Sequence, residues 1–265
     1  ILKLQMIGCS HQNAAVDFRE QLSFTTDQAR TAIDAFRKRF PAAEMVLLST
    51  CNRVELYTAA SNTSKTVADQ TIDDGPNRDE VIHFLADQRQ MSPERLLESM
   101  IHRSGDEAVT HLFTVAASLD SMVVGETQIL SQVKEAYELA CESGSVGPLT
   151  HAAFQAASRV AKRVQRETMI HRKRVSVPSV AVGEIIPEFF ESLADKTVVL
   201  LGAGEMGRET LRYLIDQGAT DVRIANRTRE HAQTLATEIG GRAIDWSELD
   251  QSLIDADVLV GTTSS

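Results

Sequence analysis

The sequence has few cysteines and few aromatic residues, and it lacks long apolar runs. Its three cysteines stand far apart, which excludes the disulfide framework of a small secreted domain. A run of about 18 apolar residues, which a membrane-spanning helix needs, is missing. The chain begins with a strand-like pattern and has no basic region before an apolar core, so no signal peptide is predicted. We expect a cytoplasmic protein with reduced thiols.

An excess of positive charge is also missing. The chain has 27 Lys and Arg against 37 Asp and Glu, a formal net charge of −10. This argues against a general affinity for nucleic acids, which is based on cations facing phosphates. One local exception has a single acid, Glu167, among seven cations: Arg159, Lys162, Arg163, Arg166, Arg172, Lys173 and Arg174. It is either a solvated helix face or a surface for an anionic partner.

The apolar fraction of 43% is that of an ordinary globular protein, and 265 residues can form two cores. Hydrophobic periodicity predicts a mixture of strands and helices before residue 190. Strands are expected at 1–8, 45–48, 54–60 and 95–102, and a flexible loop at 61–78. Helices are expected at 25–40 with Thr26 as N-cap, at 78–87, from a capping box of Ser104 and Glu107, after 127, and from about 150.

The pattern changes near residue 190, where strands and helices begin to alternate. This alternation predicts a doubly wound parallel sheet, which the chain ends too early to complete. Gly202, Gly204 and Gly207 form G-x-G-x-x-G between a predicted strand and a predicted helix, the context that the dinucleotide fingerprint requires. The cofactor-binding segment is predicted to comprise Gly202, Ala203, Gly204, Glu205, Met206 and Gly207, with the pyrophosphate at the helix N-terminus.

The end of the second strand of this sheet indicates which dinucleotide binds. An NAD site places Asp or Glu about 20 residues after the glycines, to bind the ribose 2′-hydroxyl. Asn226, Arg227 and Thr228 stand there instead. A guanidinium suits a 2′-phosphate, so NADPH is the predicted cofactor. The alternative is a Rossmann-like fold that binds no nucleotide. No metal site is predicted.

Cys51 lies in "LLSTCNRVELY", in the connection between two predicted strands. A free cysteine is most often a small buried apolar residue, and Cys9 and Cys141 fit that interpretation. Cys51 fits it less well, because its neighbours Asn52 and Arg53 make a polar, cationic setting that favours the thiolate. A thiolate together with NADPH suggests that an acyl group is transferred to sulfur and the thioester is reduced to an aldehyde.

Several segments in this order resemble the glutamyl-tRNA reductase family, over nearly the whole chain. They are "GCSHQNAAVDFRE", "STCNRVELY", "HLFTVAASLDSMVVGETQILSQVKEAY", "RETMIHRKRVSVPSVAV", and "VLLGAGEMG" with "ANRT". The resemblance implies an N-terminal α+β catalytic domain, a linking helix and a Rossmann-type domain. We expect limits of 1–158, 159–190 and 191–265, a hinge near 174–190, and the absence of the family's C-terminal dimerisation domain.

The resemblance also implies a role for individual residues. The nucleophile is Cys51, and His111 polarises the acyl oxygen or moves a proton. The substrate-binding residues are Thr50, Asn52, Arg53, Ser121, Glu126, Thr127, Gln128 and Gln132. Arg53 would bind the glutamyl side-chain carboxylate, and Glu126 the α-ammonium. From the helix pattern alone, a histidine at position 111 is more typical of a satisfied core residue.

The implied activity is NADPH-dependent reduction of glutamyl-tRNA(Glu) to glutamate-1-semialdehyde, the first step of 5-aminolevulinate and tetrapyrrole synthesis. The implied partners are the tRNA substrate, glutamate-1-semialdehyde aminomutase and, in full-length members of the family, a second subunit. Two other interpretations remain open. One is an NADP oxidoreductase like shikimate dehydrogenase, which needs no thiol. The other is a nucleotide-binding sensor without catalytic activity.

Overall fold

The computed structural model describes residues 4–60, 75–126, 128–170 and 176–263. The chain divides into two compact units, residues 1–173 and 174–265, and each has its own hydrophobic core. Thr127 and most of the predicted loop at 61–78 lie outside the described residues. Within the part described, no helix combines the length and apolar character needed to cross a membrane.

A four-stranded antiparallel sheet forms the centre of the first unit. Its strands are β1 (Leu4–Ser10), β2 (Ala43–Ser49), β3 (Arg53–Ala60) and β4 (Ile101–Ser104), in the order β2-β3-β1-β4. The first three confirm the strands predicted from their apolar patterns. Nearly every residue of β1, β2 and β3 is buried, because helices cover both faces of the sheet.

In the described part of this unit, seven helices pack on the sheet. They are α1 (Val16–Leu22), α2 (Thr26–Arg39), α3 (Arg78–Arg89), α4 (Pro93–Ser99), α5 (Asp106–Ala116), α6 (Gln128–Glu142) and α7 (Pro148–Glu167). The first four share a core with one face of the sheet, and the last three share a core with the other face. The α+β character predicted for this part of the chain is confirmed.

Residues 95–102 do not form the predicted strand, because capping signals before them start a helix. The Ser92 side chain accepts a hydrogen bond from the Arg95 backbone N–H at 3.3 Å, and Pro93 occupies the first helical position. Helix α4 therefore runs to Ser99, and the strand begins only at Ile101.

Two predicted caps are also wrong by one residue. Helix α2 is capped by Thr25, which exchanges hydrogen bonds with Gln28, and not by Thr26. Helix α5 has Gly105 as its N-cap, without a side-chain hydrogen bond, and Ser104 is instead the last residue of β4.

The N-terminus of α7 is fixed by a buried carboxylate from β2. Glu44 is 1% exposed and accepts hydrogen bonds from the backbone N–H groups of Leu149 and Thr150, at 3.3 and 2.7 Å. The Thr150 hydroxyl adds a third bond at 2.8 Å. A negative group at this position satisfies free backbone donors and interacts favourably with the helix dipole.

The second unit contains a parallel sheet. Its strands are β5 (Thr197–Leu201), β6 (Asp221–Ala225), β7 (Arg242–Ala243) and β8 (Val258–Gly261), in the order β7-β6-β5-β8. The strands predicted from "KTVVLLG", "DVRIANRT" and "ADVLVG" are confirmed as β5, β6 and β8. The very short β7 was not predicted, because two residues carry no detectable pattern.

The helices of the second unit are α8 (Val177–Val180), α9 (Ile186–Phe189), α10 (Glu205–Asp216), α11 (Arg229–Ile239) and α12 (Leu249–Asp255). A π-helical turn, Ala181–Ile185, joins α8 to α9, and a 3₁₀ turn, Trp246–Glu248, precedes α12. The alternation of strands and helices confirms the predicted Rossmann-type architecture.

The segment predicted as a linker, 159–190, is shared between the two units. Helix α7 continues through the predicted limit at 158 to Glu167, because its apolar and basic faces belong to one amphipathic helix. Residues 177–189 are helical and pack on α10 within the second unit. The hinge predicted near 174–190 and the three functional limits stay predictions, and the division between compact units falls at 173 and 174.

Replacing Glu44 by alanine should destabilise the first unit by about 3 kcal/mol, because three donors around one buried carboxylate would lose their acceptor. Glu44→Gln keeps an acceptor oxygen and should lose roughly half as much. Urea unfolding followed by circular dichroism measures both. Equal stability of the wild type and Glu44→Ala would show that this carboxylate does not hold the helix.

Candidate active site

Cys51 lies in a tight turn between β2 and β3 and is exposed to solvent. Thr50 shapes the turn: its hydroxyl accepts hydrogen bonds from the backbone N–H groups of Asn52 and Arg53, both at 3.2 Å. The Asn52 carbonyl accepts from the backbone N–H of His11 at 2.9 Å. The turn thus presents a cysteine at the edge of the sheet, in the connection where the sequence predicted it.

Arg53 does not point toward the solvent with Cys51. The residue is 1% exposed, and its guanidinium is held by two acids on the side of the sheet that α5 covers. One nitrogen, Nη1, lies 2.7 Å from Glu55 Oε1 and 3.0 Å from Asp120 Oδ2. The other, Nη2, donates to the Asp120 carbonyl. Arg53, the cation that the sequence predicted beside Cys51, is therefore neutralised by Glu55 and Asp120.

Glu55 connects Arg53 to His111. Its Oε1 also accepts from His111 Nε2 at 2.8 Å, and its Oε2 accepts from the Tyr57 hydroxyl at 2.7 Å. Burial alone would raise the pKa of this carboxyl, but the His111 hydrogen bond and the Arg53 charge outweigh it and lower the pKa to about 2. Glu55 is thus a charged, fully bonded acceptor in the interior.

The expectation that the surroundings favour the Cys51 thiolate is wrong for this state of the protein. The pKa of the thiol is raised, first because the neighbouring loops partly desolvate it and second because Glu126 repels the negative form. Arg19 acts in the opposite direction and lowers the pKa. The charge of Arg53 is balanced by Glu55 and Asp120.

Two polar residues near this turn were not identified from the sequence. Arg19, in α1, is 7% exposed; its Nη1 donates to the Ala14 carbonyl at 2.7 Å, while its buried Nε has no hydrogen-bond partner. No carboxylate pairs with Arg19 among the described residues. The half-buried His11 has a buried Nδ1 without a partner, and its pKa is lowered by desolvation and by Arg53. Both leave polar atoms available beside the Cys51 turn.

The loop between α5 and α6 contributes the remaining predicted residues of this unit. Ser121 is half-buried and accepts a hydrogen bond from the Ser118 hydroxyl at 3.1 Å. Glu126 is half-buried, and its charge acts on the Cys51 thiol. Gln128 and Gln132 are half-buried in the first turns of α6, and their spacing of four places them on one helix face.

His111 lies against an open cavity of about 370 Å³. The lining residues are Arg103, Asp106, Glu107, Thr110, His111, Thr114 and Asp120. Cys51 is not among the residues that line this cavity, and the hydrogen bonds of His111 lead through Glu55 to Arg53. The bonded core histidine that the helix pattern indicated is present, and the proposed catalytic role remains open.

The other two cysteines differ from each other. Cys9 is fully buried, as predicted, and burial raises the pKa of its thiol to about 11. Cys141 was expected on the apolar face of α6, but it is exposed. Ala140, one position earlier, occupies the buried face instead.

The glycine turn of the second unit lies where the carboxyl ends of three parallel strands meet. Gly202 has φ +106°, and a Cβ there would meet the Thr262 hydroxyl at 2.7 Å. A Cβ on Gly207 would lie 2.4 Å from the Gly202 carbonyl oxygen, so α10 could not approach the turn. A Cβ on Gly204 would meet nothing within 4 Å, which leaves an open approach to the backbone at the N-terminus of α10. These are the three roles predicted for a dinucleotide turn.

The predicted ribose-binding residues follow β6 at the same edge. The Gly202 backbone N–H donates to the Ala225 carbonyl at 2.9 Å, so the glycine turn adjoins the end of β6. The Asn226 side chain donates to the Thr228 carbonyl at 2.9 Å and shapes a turn. Arg227 is exposed, without an ion-pair partner in the described ranges. Ala203, Glu205 and Met206 complete the predicted segment, and Glu205 is the first residue of α10.

An α+β unit with an accessible loop cysteine, followed by a dinucleotide-binding unit, has the architecture of a nucleotide-dependent oxidoreductase. The family model for the N-terminal domain of glutamyl-tRNAGlu reductase matches residues 7–168, and that for shikimate/quinate 5-dehydrogenase matches residues 184–265. The chain belongs to the glutamyl-tRNA reductase family.

Individual relatives agree. The glutamyl-tRNA reductase of Rhodopirellula baltica is 53% identical over 264 residues, covering 100% of this chain and 60% of that protein. The enzyme of Rubrobacter xylanophilus is 42% identical over 262 residues, with coverages of 99% and 58%. The solved glutamyl-tRNA reductase from Methanopyrus kandleri has a TM-score of 0.57 and 33% identity, and is covered over 59% of its length. The chain thus spans about three fifths of these relatives.

The lowered pKa of Glu55 makes the first unit sensitive to acid. A depressed carboxyl pKa contributes stability that is present above the ordinary pKa, near 4.5, and is lost as the pH falls toward about 2. Between pH 6 and 3, protonation of Glu55 should lower the free energy of unfolding of the wild type by about 2 kcal/mol. Glu55→Gln should lack this part of the pH dependence. Urea midpoints across this range measure it, and parallel pH profiles of the two proteins would contradict it.

Removing the Arg19 charge should make the Cys51 thiolate harder to form. In a Cys141→Ser background, alkylation of Cys51 by iodoacetamide at pH 7 should be roughly threefold slower in Arg19→Gln, and its pH profile should shift upward. Arg19→Lys keeps the charge and should remain near the wild type. Identical profiles for all three proteins would show that Arg19 does not influence the thiol.

Proposed function

We propose that this protein reduces the glutamyl group of glutamyl-tRNA(Glu) to glutamate-1-semialdehyde, through a thioester on Cys51. The observation that carries the proposal is the exposed thiol in the turn between β2 and β3, in a member of this family. The names of the relatives are consistent with this substrate. The product supplies 5-aminolevulinate and tetrapyrrole synthesis.

In the acyl transfer, the Cys51 sulfur attacks the ester carbonyl and forms a C–S bond, while the bond between the carbonyl carbon and the tRNA ribose oxygen breaks. The thiol proton leaves with that oxygen. Because the pKa of the thiol is raised, a base must assist as the substrate binds. We assign this role to the imidazole of His11, which lies beside Asn52 and whose pKa is lowered by desolvation and by the Arg53 charge. His111, bonded to Glu55, would polarise the acyl oxygen or move a proton.

The polar residues around Cys51 would orient the substrate. Thr50 and Asn52 shape the turn, and Ser121, Gln128 and Gln132 belong to the same proposed substrate site, together with Thr127, which lies outside the described residues. Glu126 has the charge to bind the α-ammonium. Arg53 was predicted to bind the side-chain carboxylate. Since Glu55 and Asp120 already bond to its guanidinium, such binding requires that a substrate carboxylate replace the Asp120 contact.

We propose NADPH as the dinucleotide. The glycine turn would hold its pyrophosphate at the N-terminus of α10, and Arg227, with Asn226 and Thr228, would face the 2′-phosphate. The open approach at Gly204 and the exposed guanidinium of Arg227 support this assignment. When bound, NADPH supplies the hydride that converts the thioester to an aldehyde and releases the thiol.

The remaining proposals follow from the family. We propose a homodimer, as in full-length members of the family. A cytoplasmic location fits a thiol that must stay reduced. Transfer of the aldehyde to glutamate-1-semialdehyde aminomutase fits a reactive product. A shikimate dehydrogenase-like activity is the alternative that the match over residues 184–265 favours. That chemistry needs no thiol.

Cys51→Ser should abolish both the covalent glutamyl adduct and the oxidation of NADPH in the presence of glutamyl-tRNA, because a hydroxyl is a far weaker nucleophile. Cys141→Ser, which also removes an exposed thiol, should retain both. Mass spectrometry measures the glutamyl adduct, and absorbance at the nicotinamide band measures the oxidation of NADPH. Full NADPH oxidation in Cys51→Ser with shikimate-like substrates would instead support the alternative.

A further inference from the structure

Helix α7 carries a row of exposed cations on one face. Arg159, Lys162, Arg163 and Arg166 follow the spacing i, i+3, i+4 and i+7, and all four are exposed. The opposite face is apolar, with Ala157 and Ala161 fully buried. We call these four residues the basic stripe. The apolar face accounts for the packing of the helix, so folding does not explain the stripe.

The stripe keeps its positive charge although the protein as a whole is acidic, with a net charge of −10. Glu167 lies 2.9 Å from Arg163 and 3.6 Å from Arg166, and so offsets one of the four charges. Arg159 and Lys162 have no acidic partner among the residues described. Four adjacent cations repel each other, and such a row is maintained at a cost that an anionic partner would offset.

Contacts with β2 and β3 show which end of the first unit carries the stripe. The helix begins beside Glu44, whose carboxylate holds Leu149 and Thr150. One turn later, the Phe154 ring packs edge-on against Tyr57, at 5.3 Å between centroids, and Tyr57 pairs with Val46. From the first contact to the second, the helix advances from Thr150 to Phe154 while β2 advances from Glu44 to Val46. Helix α7 therefore runs in the same direction as β2.

The same direction brings the stripe to the end that bears the thiol. A helix rises about 1.5 Å per residue and a strand about 3.3 Å. Twelve helical residues from Thr150 to Lys162 and six strand residues from Glu44 to Thr50 therefore each span roughly 20 Å. The basic stripe thus lies level with the turn that presents Cys51.

We propose that the basic stripe binds the phosphate backbone of the RNA part of the substrate while its aminoacyl end reaches Cys51. This inference rests on the proposed function, and it assigns to the first unit a surface for the RNA. Charge complementarity selects the occupant: four exposed cations in a row suit a polyanion, whose phosphates repeat along the chain. The contact is with the backbone, so it positions the RNA without reading its sequence.

The test compares two double variants that remove the same charge. Arg159→Gln/Lys162→Gln removes the two unpaired cations of the stripe. Arg37→Gln/Lys38→Gln removes two exposed cations from the last turn of α2, at the opposite, Glu44 end of β2. Acylation of Cys51 is measured in single turnover against glutamyl-tRNA concentration at several salt concentrations, and also with a glutamyl thioester that contains no RNA.

The stripe variant should need about tenfold more glutamyl-tRNA for half-saturation. The slope of its log affinity against log salt concentration should be shallower, by about one to two phosphate contacts. The α2 variant should behave as the wild type, and all three proteins should react equally with the small thioester. Failure of the wild type itself to be acylated by glutamyl-tRNA would overturn the proposed function.

If the wild type is acylated, three results would overturn the inference about the stripe alone. They are unchanged half-saturation in the stripe variant, equal weakening in the α2 variant, and slower reaction of the stripe variant with the small thioester. Altered self-association with unchanged half-saturation would assign the stripe to a protein interface instead.

Discussion

Arg53 lies almost wholly out of water, and the carboxylates of Glu55 and Asp120 match its charge. Removing one partner of such a buried pair leaves an uncompensated charge and typically costs about 3 to 5 kcal/mol. Asp120 belongs to the loop after α5, while Arg53 and Glu55 belong to β3. The ion cluster therefore ties that loop to the strand that follows Cys51, and it bonds His111 in the same network. The geometry around the thiol depends on it.

The cluster also separates two functions that the sequence places side by side. In "TCNRVELY", Cys51 and Arg53 look like one cationic nucleophile site. In the fold, the turn exposes the sulfur while the strand turns the guanidinium inward, so the charges that act on the thiol come from Glu126 and Arg19 instead. The thiol is exposed, but its pKa is raised, so in the proposed mechanism a base assists its activation.

Part of this arrangement was readable from the sequence and part was not. Alternation along β3 places Arg53, Glu55 and Tyr57 on one face, so Glu55 as a partner of Arg53 was predictable from a period of two. Asp120 and Arg19 come from segments distant in sequence, and no local pattern indicates that they reach the turn. The place of the glycine turn between a strand and a helix was predicted correctly, because the G-x-G-x-x-G spacing and the flanking patterns are local. Helix α4 was missed because a short apolar run fits a strand or a helix, and only the Ser92 and Pro93 signals distinguish them.

In the proposed mechanism Cys51 receives the glutamyl group, and this step can be tested by mapping where the acyl group is attached. Wild-type protein is incubated with glutamyl-tRNA without NADPH, quenched in acid and digested with trypsin, which separates Cys9, Cys51 and Cys141 into different peptides. We expect one glutamyl group, labile to hydroxylamine, on the peptide from Phe40 to Arg53. A glutamyl group on the exposed Cys141 peptide, or none on any cysteine while glutamyl-tRNA is consumed, would contradict it.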